Sequence, residues 1–361
     1  MNKYNIHCTN IVGLGATEVV LSLLPELQNN KFSKMGYIYL PDEGPLSKIG
    51  ELESETSIKF YRRYLPRDIS RFIELTLSFL FFKKTDQYLI LGDLPMNLNV
   101  PQVIFLQNPH IFSFLDFQFK FIYLRYLISR FIFYLNKRFV KRIIVQTHNM
   151  KDQLVSYDKD LEDLIEVVSQ PPPVWLKNIK NVGEVSSSKK LLKVFYPANN
   201  YPHKNHDFLK GLNKYKHSDL PVKEILLTID ENPYPNLSSI SCVGLKDHNY
   251  MVKLYETFDC MIFLSKNESY GLPLVESIFA GIPIICPDLS YSRSICGDHA
   301  RYFKPWDIDS FVSELKNLSN DLIQGWRPDY SEIIKRYPSN WEEVSDKFIF
   351  YLMDDQDDQR T

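Results

Sequence analysis

Short apolar runs recur along the chain, and segments long enough for helices separate them. The runs are 89–91, 103–106, 142–145, 192–196, 223–227, 261–264 and 282–285. Each has the length and continuous hydrophobicity of a strand that is buried on both faces. Strands that alternate with helices join through right-handed crossovers into parallel sheets, so the pattern predicts a doubly wound α/β fold.

A break near the middle of the sequence predicts two domains, as the length of 361 residues also favours. Three prolines at 171–173 precede a polar stretch, 177–190, and neither segment suits a helix or a central strand. The predicted domains are residues 1–172 and 173–337. A final helical segment, 341–352, either completes the second domain or crosses back to the first. Ligands of such sheets bind beyond the carboxyl ends of the strands, so we expect a cleft between the domains.

Composition and charge exclude several classes of protein. Hydrophobic residues make up 44% of the chain and charged residues 24%, as in folded globular proteins. A formal net charge of −2 provides no global basic field for nucleic acid. The five cysteines form no C-x-x-C pair, which argues against a disulfide framework or a zinc site and suits a reducing cytosol. No signal peptide is predicted, and the longest near-apolar run, 75–82, is too short to span a membrane.

The segment 260–285 carries the clearest chemical signal. It predicts a strand over 260–264, a loop over 265–271 and a helix over 272–280, with Pro273 in the first turn and Gly281 after the last. The unpaired N–H groups of such a helix start form a site for phosphate oxygens. Glu268 and Glu276 flank it, and carboxylates accept hydrogen bonds from sugar hydroxyls. Read singly, each glutamate also suits a solvated surface position.

The string from Ser265 to Ser277, followed by 280–285, resembles the E-x7-E segment of retaining glycosyltransferases of family four. The resemblance extends to Val243-Gly244, to Pro287-Asp288, to 296–300 and to 302–305, with weaker echoes at 145–151 and 340–342. It implies a GT-B architecture of two Rossmann-like domains. The first would bind the acceptor and the second the nucleotide sugar, with the last helix, 338–354, returning to the first.

The same resemblance implies roles for individual residues. Glu268 would contact the donor sugar or its phosphate, and Glu276 the ribose hydroxyls. The donor diphosphate would lie on the backbone of Ser269, Tyr270, Gly271 and Leu272, with Gly244 also on the donor side. Lys204, in a His-Lys-Asn triplet, would neutralise the leaving diphosphate.

One position departs from the pattern of this family. Many members carry an arginine where this chain has Ala198. Charge neutralisation then rests either on Lys204 and the helix dipole or on another cation such as Arg293.

The N-terminal half offers further candidates. Gly13 and Gly15 follow a predicted strand over 4–9, and we expect Gly15 near the donor and Gly13 near the acceptor. The dinucleotide fingerprint G-x-G-x-x-G is absent because position 18 is Glu. Asn108 and His110 are candidates for the cleft, since the family often has a histidine near the position of Gln107.

Residues 112–142 are aromatic and basic, with seven Lys and Arg residues against the single acid Asp116. The pattern favours either an amphipathic helix with solvated basic edges or an interface with an anionic membrane.

The leading hypothesis is a metal-independent, retaining hexosyltransferase that uses a nucleoside diphosphate sugar and no cofactor. Its acceptor would be a saccharide, lipid-linked, in O-antigen or capsule synthesis at the cytoplasmic face of the inner membrane. No D-x-D string near the motifs suggests a metal site. The alternatives are a catalytically degenerate GT-B binding subunit and a sugar-nucleotide epimerase.

Overall fold

The computed structural model describes residues 3–11, 13–31, 34–48, 57–112, 120–179 and 191–354. They divide into two units. The first runs to Pro171 and resumes at Pro338, and the second spans Pro172–Tyr337. The boundary falls within the run of three prolines, whose fixed φ and missing N–H groups prevent a regular element from continuing.

The first unit is built on a parallel sheet. The described residues supply seven strands, in the order β3-β2-β1-β4-β5-β6-β7. These are β1 Lys3–His7, β2 Lys34–Pro41, β3 Ser57–Tyr61, β4 Gln87–Ile90, β5 Gln102–Phe105, β6 Val140–Val145 and β7 Ile165–Val167. Its helices are α1 Leu14–Asn29, α2 Arg67–Thr76, α3 Ser78–Phe81, α4 Lys120–Asn136 and α5 His148–Tyr157. The central strands β4 and β5 are buried along their whole length, which is why they appear in the sequence as apolar runs.

The second unit has the same construction. The described residues supply six parallel strands, in the order β10-β9-β8-β11-β12-β13. These are β8 Leu192–Tyr196, β9 Val222–Leu227, β10 Ile240–Cys242, β11 Cys260–Ile262, β12 Ile284–Pro287 and β13 Arg301–Phe303. Its helices are α6 His248–Thr257, α7 Leu272–Ala280, α8 Ser290–Cys296, α9 Ile308–Ile323 and α10 Ser331–Ile334.

The last helix, α11 Trp341–Met353, packs on the first unit. The ring of Phe348 lies edge-on to that of Phe105, with centroids 5.1 Å apart. Asn30 Nδ2 donates to Asp346 Oδ1 at 2.8 Å. Of the two positions that the sequence pattern left open for this helix, the chain therefore adopts the return to the first unit.

Several local expectations differ from the structure. Gly15 lies in the first turn of α1 rather than in a loop. Within the basic segment that ends at Arg142, α4 ends at Asn136 and a short 3₁₀ turn spans Lys137–Phe139, because 140–145 form β6 between β5 and β7. Strand β11 ends at Ile262, two residues earlier than expected. Across the described part of the chain, no helix combines the length and apolarity needed to cross a membrane.

We predict that Phe348→Ala lowers the free energy of unfolding by about 3–5 kcal/mol, because it leaves a cavity against the sheet. Phe350 lies on the same helix but is 62% exposed, so Phe350→Ala changes stability by less than about 1 kcal/mol. Urea unfolding followed by circular dichroism compares the two variants. Equal losses of stability in the two variants would contradict the packing of Phe348 against Phe105.

Candidate functional site

The loops that follow β8 and β11 meet at the carboxyl edge of the second sheet. The two strands are parallel neighbours, with Cys260 opposite Val194 and Met261 opposite Phe195. Two hydrogen bonds join the loops directly. Lys266 N donates to the His203 carbonyl at 2.8 Å, and Asn205 Nδ2 donates to the Leu264 carbonyl at 3.3 Å.

A buried tyrosine completes this connection. Tyr196 ends β8, and its hydroxyl donates to the Lys204 carbonyl at 2.8 Å and lies 3.1 Å from Ser265 Oγ. Burial raises the pKa of Tyr196 far above its ordinary value, so the hydroxyl keeps its proton and can donate. Neither Tyr196 nor Ser265 is among the site residues predicted from the sequence. Their positions at the carboxyl ends of two predicted strands were the available signal.

Lys204 and Glu268 form an ion pair at this edge. Lys204 Nζ lies 2.5 Å from Glu268 Oε1, and the side chains are only 14% and 11% exposed. The ammonium group also lies 5.7 Å from the centre of the Phe263 ring. Two predicted site residues that are 64 positions apart in sequence thus come together where water screens their attraction only weakly.

Helix α7 begins beside this pair. Gly271 is its N-cap, in the left-handed conformation with φ +64°, and no side chain caps the helix start. A Cβ atom on Gly271 would lie 3.2 Å from both Ile295 Cδ1 and Leu274 Cδ1, so conformation and space both favour glycine. The predicted phosphate-binding backbone of Ser269, Tyr270, Gly271 and Leu272 therefore leads into a helix start that presents N–H groups.

Glu276 lies one turn into α7 and has a different partner from Glu268. Its Oε2 accepts a hydrogen bond of 2.8 Å from the hydroxyl of Tyr255, which is fully buried. Burial and then the charge of Glu276 raise the pKa of Tyr255, so this hydroxyl stays protonated. The tyrosine fixes one carboxylate oxygen of Glu276.

Gly244 follows β10 at the same edge of the sheet. Its φ is +70°, and a Cβ atom there would lie 2.7 Å from Asp230 Oδ1. Glycine is therefore required at this position by the backbone itself, whether or not a ligand approaches it.

The structure shows the surroundings of Ala198 and of Arg293, the candidate replacement for the missing arginine. Ala198 is 5% exposed and belongs to the apolar core. Arg293 donates to both carboxylate oxygens of Asp288, at 2.7 and 3.0 Å, and to Asp298 at 3.1 Å. Its charge is thus already matched by two carboxylates.

The N-terminal candidates lie in the first unit, whereas Lys204, Glu268 and Glu276 lie in the second. Gly13 is the N-cap of α1, with an ordinary φ of −73°. Asn108 follows β5, and its side chain accepts from His110 N at 3.0 Å, which caps the short turn Pro109–Ile111.

His206 is a buried histidine next to Lys204. Its Nε2 atom lies 3.0 Å from the carbonyl oxygen of Asn199. Because a carbonyl oxygen can only accept a hydrogen bond, Nε2 carries the proton. Burial is the largest cause of a lowered pKa at His206, and the charge of Lys204 acts in the same direction.

In the part of the chain that the structure describes, no three His, Cys, Asp or Glu side chains are grouped to hold a metal ion.

Comparison with known proteins identifies the relatives of this chain. Residues 236–336 match the family described as "Glycosyl transferases group 1". A stretch of 68 residues is 35% identical to the serotype-specific mannosyltransferase WbdA of Escherichia coli, over 18% of this chain and 8% of that protein. The O-antigen chain mannosyltransferase RfbU of Salmonella typhimurium is 23% identical over 201 residues, 52% of this chain and 54% of RfbU. The matched regions thus cover from under a tenth to about half of these relatives.

The fold has close counterparts among solved structures. The lipopolysaccharide outer core galactosyltransferase WaaB superposes with a TM-score of 0.61 at 15% identity, over 96% of this chain and 99% of WaaB. Together with the two parallel sheets, this likeness confirms the predicted GT-B class, and the family match confirms a glycosyltransferase group 1 domain over residues 236–336.

We predict that Lys204→Ala lowers the free energy of unfolding by about 2–3 kcal/mol, because the carboxylate of Glu268 is left without its partner in a mostly buried position. The exposed pair Lys214–Asp309 has the same N–O distance, 2.5 Å, so Lys214→Ala serves as the control. Its loss is expected to stay below about 1 kcal/mol. Chemical denaturation measures both, and a Lys204→Ala loss no larger than that of Lys214→Ala would contradict the expectation.

We predict a pH-dependent stability contribution from His206. Its pKa is lower in the folded chain than the value of about 6.5 for an unfolded histidine, so unfolding takes up a proton at acidic pH. The contribution is present above pH 6.5 and is lost as the pH falls below it. Melting curves from pH 8 to 5.5 should show a smaller loss of stability for His206→Gln than for the wild type. The exposed His217 provides the matched variant, His217→Gln, and an equal response from the two variants would rule out this assignment.

Proposed function

Because residues 236–336 match the glycosyl transferases group 1 family and the chain has the GT-B fold, we propose that this protein is a glycosyltransferase. It transfers a hexosyl group from a nucleoside diphosphate sugar to a hydroxyl group of a saccharide. The observation that carries the proposal is the Lys204–Glu268 pair beside the uncapped start of α7. A cation, a carboxylate and the first turn of α7 thus lie at the strand ends, where α/β sheets bind nucleotides.

In the proposed donor complex the diphosphate lies on the start of α7, with Lys204 as its counter-ion. Glu276, with one oxygen held by Tyr255, accepts hydrogen bonds from the ribose hydroxyls. Glu268 contacts the sugar or its phosphate. No cofactor takes part.

The proposed reaction retains the configuration at the anomeric carbon. The bond from this carbon to the phosphate oxygen breaks, and its electron pair stays with the leaving diphosphate. The acceptor oxygen forms the new bond on the same face, and its proton passes to the leaving phosphate oxygen. Lys204 and the N–H groups of α7 stabilise the charge that develops there, so the step proceeds without a divalent ion.

For the acceptor we propose a lipid-linked saccharide of O-antigen or capsule synthesis. RfbU and WbdA are named as mannosyltransferases, and RfbU acts on the O-antigen chain, which supports this class of product. The exposed apolar residues of α4, among them Leu124, Ile128 and Phe131, support contact with the cytoplasmic face of a membrane. Of the basic segment that suggested this contact, 113–119 lie outside the described residues.

A second candidate is a sugar- or partner-binding subunit that has lost catalysis. Ala198 favours this candidate, because a buried alanine stands where many family members have an arginine, and Lys204 has no second cation from that position. Arg293 is already paired with Asp288. The two candidates differ in turnover and agree in nucleotide binding.

We predict that one of UDP, GDP or ADP, or its hexose conjugate, raises the melting temperature of the full chain, with GDP-mannose the first to test. At about 100 times its Kd, a ligand stabilises the native state by roughly 2.7 kcal/mol. The shift should disappear in Lys204→Ala and Glu276→Ala and persist in Lys214→Ala, which removes an exposed lysine of the same unit.

Transfer of labelled sugar to a saccharide acceptor then separates the two candidates. Binding without transfer favours the binding subunit, and conversion of the donor without any acceptor would indicate an epimerase. A wild type that none of these nucleotides stabilises would refute both the donor site and the proposed activity.

A further inference from the structure

A second cluster of polar side chains lies at the strand ends of the first unit, around the fully buried Glu74 of α2. Glu74 Oε1 accepts from His7 Nε2 at 2.8 Å and from the Thr9 hydroxyl, and Oε2 accepts from Arg63 Nη2 at 2.9 Å. Arg63 also donates to Asn10 Oδ1 at 2.7 Å. Burial by itself would raise the pKa of Glu74, but the bonds from His7 and Thr9 and the charge of Arg63 lower it. This carboxylate is therefore ionised and already satisfied.

Three further arginines surround this core. Arg67 and Arg71 lie four positions apart on α2 and so share a face of the helix. Arg125 Nε of α4 lies 3.2 Å from Asp68 Oδ1, which brings α4 to the first turn of α2. Arg71 donates to the Gly92 carbonyl at 3.2 Å, while its Nε is buried without a hydrogen-bond partner. Arg67 has no ion pair with any residue that the structure describes.

These guanidinium groups interact with one another. Arg67 is exposed to solvent, and its pKa is lowered, first by partial desolvation and then by the positive charges of Arg125, Arg71 and Arg63. Asp68 acts in the opposite direction but is already paired with Arg125. The shared face of α2 and the contact of Arg125 with Asp68 thus bring several positive charges near Arg67, where an anion from solvent can reach them. A phosphoryl group suits this place, since the planar guanidinium binds two of its oxygens at once.

The same two helices present apolar side chains to solvent beside the arginines. Six of these are between 39% and 56% exposed: Ile69, Phe72, Leu124, Leu127, Ile128 and Phe131. Because α2 packs against α4, these side chains can contribute to one apolar surface, and such surfaces mark binding regions. A cationic group next to it suits an amphiphile whose anionic end adjoins its hydrocarbon.

The cluster also adjoins the predicted acceptor residues. Tyr126, next to Arg125 on α4, has its ring 5.9 Å from that of His110. Asp93, whose charge acts on Arg71, accepts from the backbone N–H of Asn108 at 3.1 Å. The loop that carries Asn108 and His110 therefore borders the arginines.

Building on the proposed function, we propose that Arg67, Arg71 and Arg125 bind the phosphoryl group of an amphiphilic saccharide acceptor, whose hydrocarbon lies along α2 and α4. The arginines fix the charged end of the acceptor at the strand ends of the first unit. The saccharide then extends from this anchor past Asn108 and His110.

Titration calorimetry on the full chain tests this with farnesyl diphosphate, inorganic diphosphate and farnesol. The wild type should bind farnesyl diphosphate at least tenfold more tightly than either of the other two probes. Arg67→Gln should weaken that binding by about tenfold or more, the effect of one charge-assisted hydrogen bond. Arg67→Lys keeps the positive charge but loses the two-pronged geometry of the guanidinium group, so it should restore part of the lost affinity.

Arg62→Gln is the matched control, because it removes the same charge from an exposed arginine that lies outside α2 and next to Asp42. Equal losses in the two variants would show diffuse surface attraction and overturn the proposal, as would unchanged binding in Arg67→Gln. Inorganic diphosphate that binds as tightly as farnesyl diphosphate would overturn the amphiphilic part. Binding to phosphatidylglycerol vesicles provides a further test. If Arg67→Gln weakens vesicle binding as much as it weakens farnesyl diphosphate binding, the site binds bulk lipid and the proposal is overturned.

The nucleotide thermal shift distinguishes failure here from failure of the proposed function. Arg67→Gln should retain the shift, since Arg67 lies in the first unit and the donor residues lie in the second. A wild type that binds farnesyl diphosphate through Arg67 but no nucleotide would refute the transferase and leave the anion site established.

Discussion

The attraction between Lys204 and Glu268 is the interaction on which the proposed donor site depends. Each residue stands in a loop after a central strand, and each side chain is largely removed from water. Alone, either charge would be costly to bury, so the pair makes it favourable for both loops to fold toward the sheet edge. The backbone bonds between the loops and the hydroxyl of Tyr196 then fix the distance between them. The site is thereby formed before any ligand arrives, and in the proposed reaction a diphosphate takes the place of one partner of an existing pair.

The polar cluster of the first unit differs from the Lys204–Glu268 pair in how its charges are paired. Glu74 is fully buried and accepts three hydrogen bonds, so it offers little to a ligand. Arg67 stands outside this network, in the field of three other arginines. In the second unit, Lys204 and Glu268 neutralise each other, whereas in the first unit the arginines outnumber the carboxylates that pair with them. A matched site suits a substrate that brings many polar groups of its own, such as a nucleotide sugar. An incompletely matched one suits a ligand whose recognition depends on a single anionic group.

The sequence permits prediction of those elements that local chemistry determines. Pro273 and Gly281 bound α7, and the predicted helix over 272–280 agrees with the structure at both ends. Strand β2 is not among the predicted strands, because Lys34 and Gly36 interrupt its first half and Pro41 ends it, which leaves only a short apolar run. Gly15 suggests a loop, but the packing of the following apolar residues extends α1 over it. The contact of Lys204 with Glu268 follows from the order of the strands, which periodicity does not give. Arg67 and Arg71 share a helix face that spacing could reveal, but Arg125 joins them only through tertiary packing.

Apolar contact and charge contribute differently to acceptor binding. Burial of hydrocarbon is favourable in proportion to area and does not depend on direction, so the exposed side chains of α2 and α4 would hold any lipid chain equally well. Guanidinium bonds to a phosphoryl group fix both position and orientation. The arginines are therefore the feature that would distinguish a phosphate-linked acceptor from the surrounding lipid. They would also set the distance from the phosphate to the hydroxyl that reacts. A chain with the apolar surface alone would be retained at a membrane, but it would not align an acceptor for transfer.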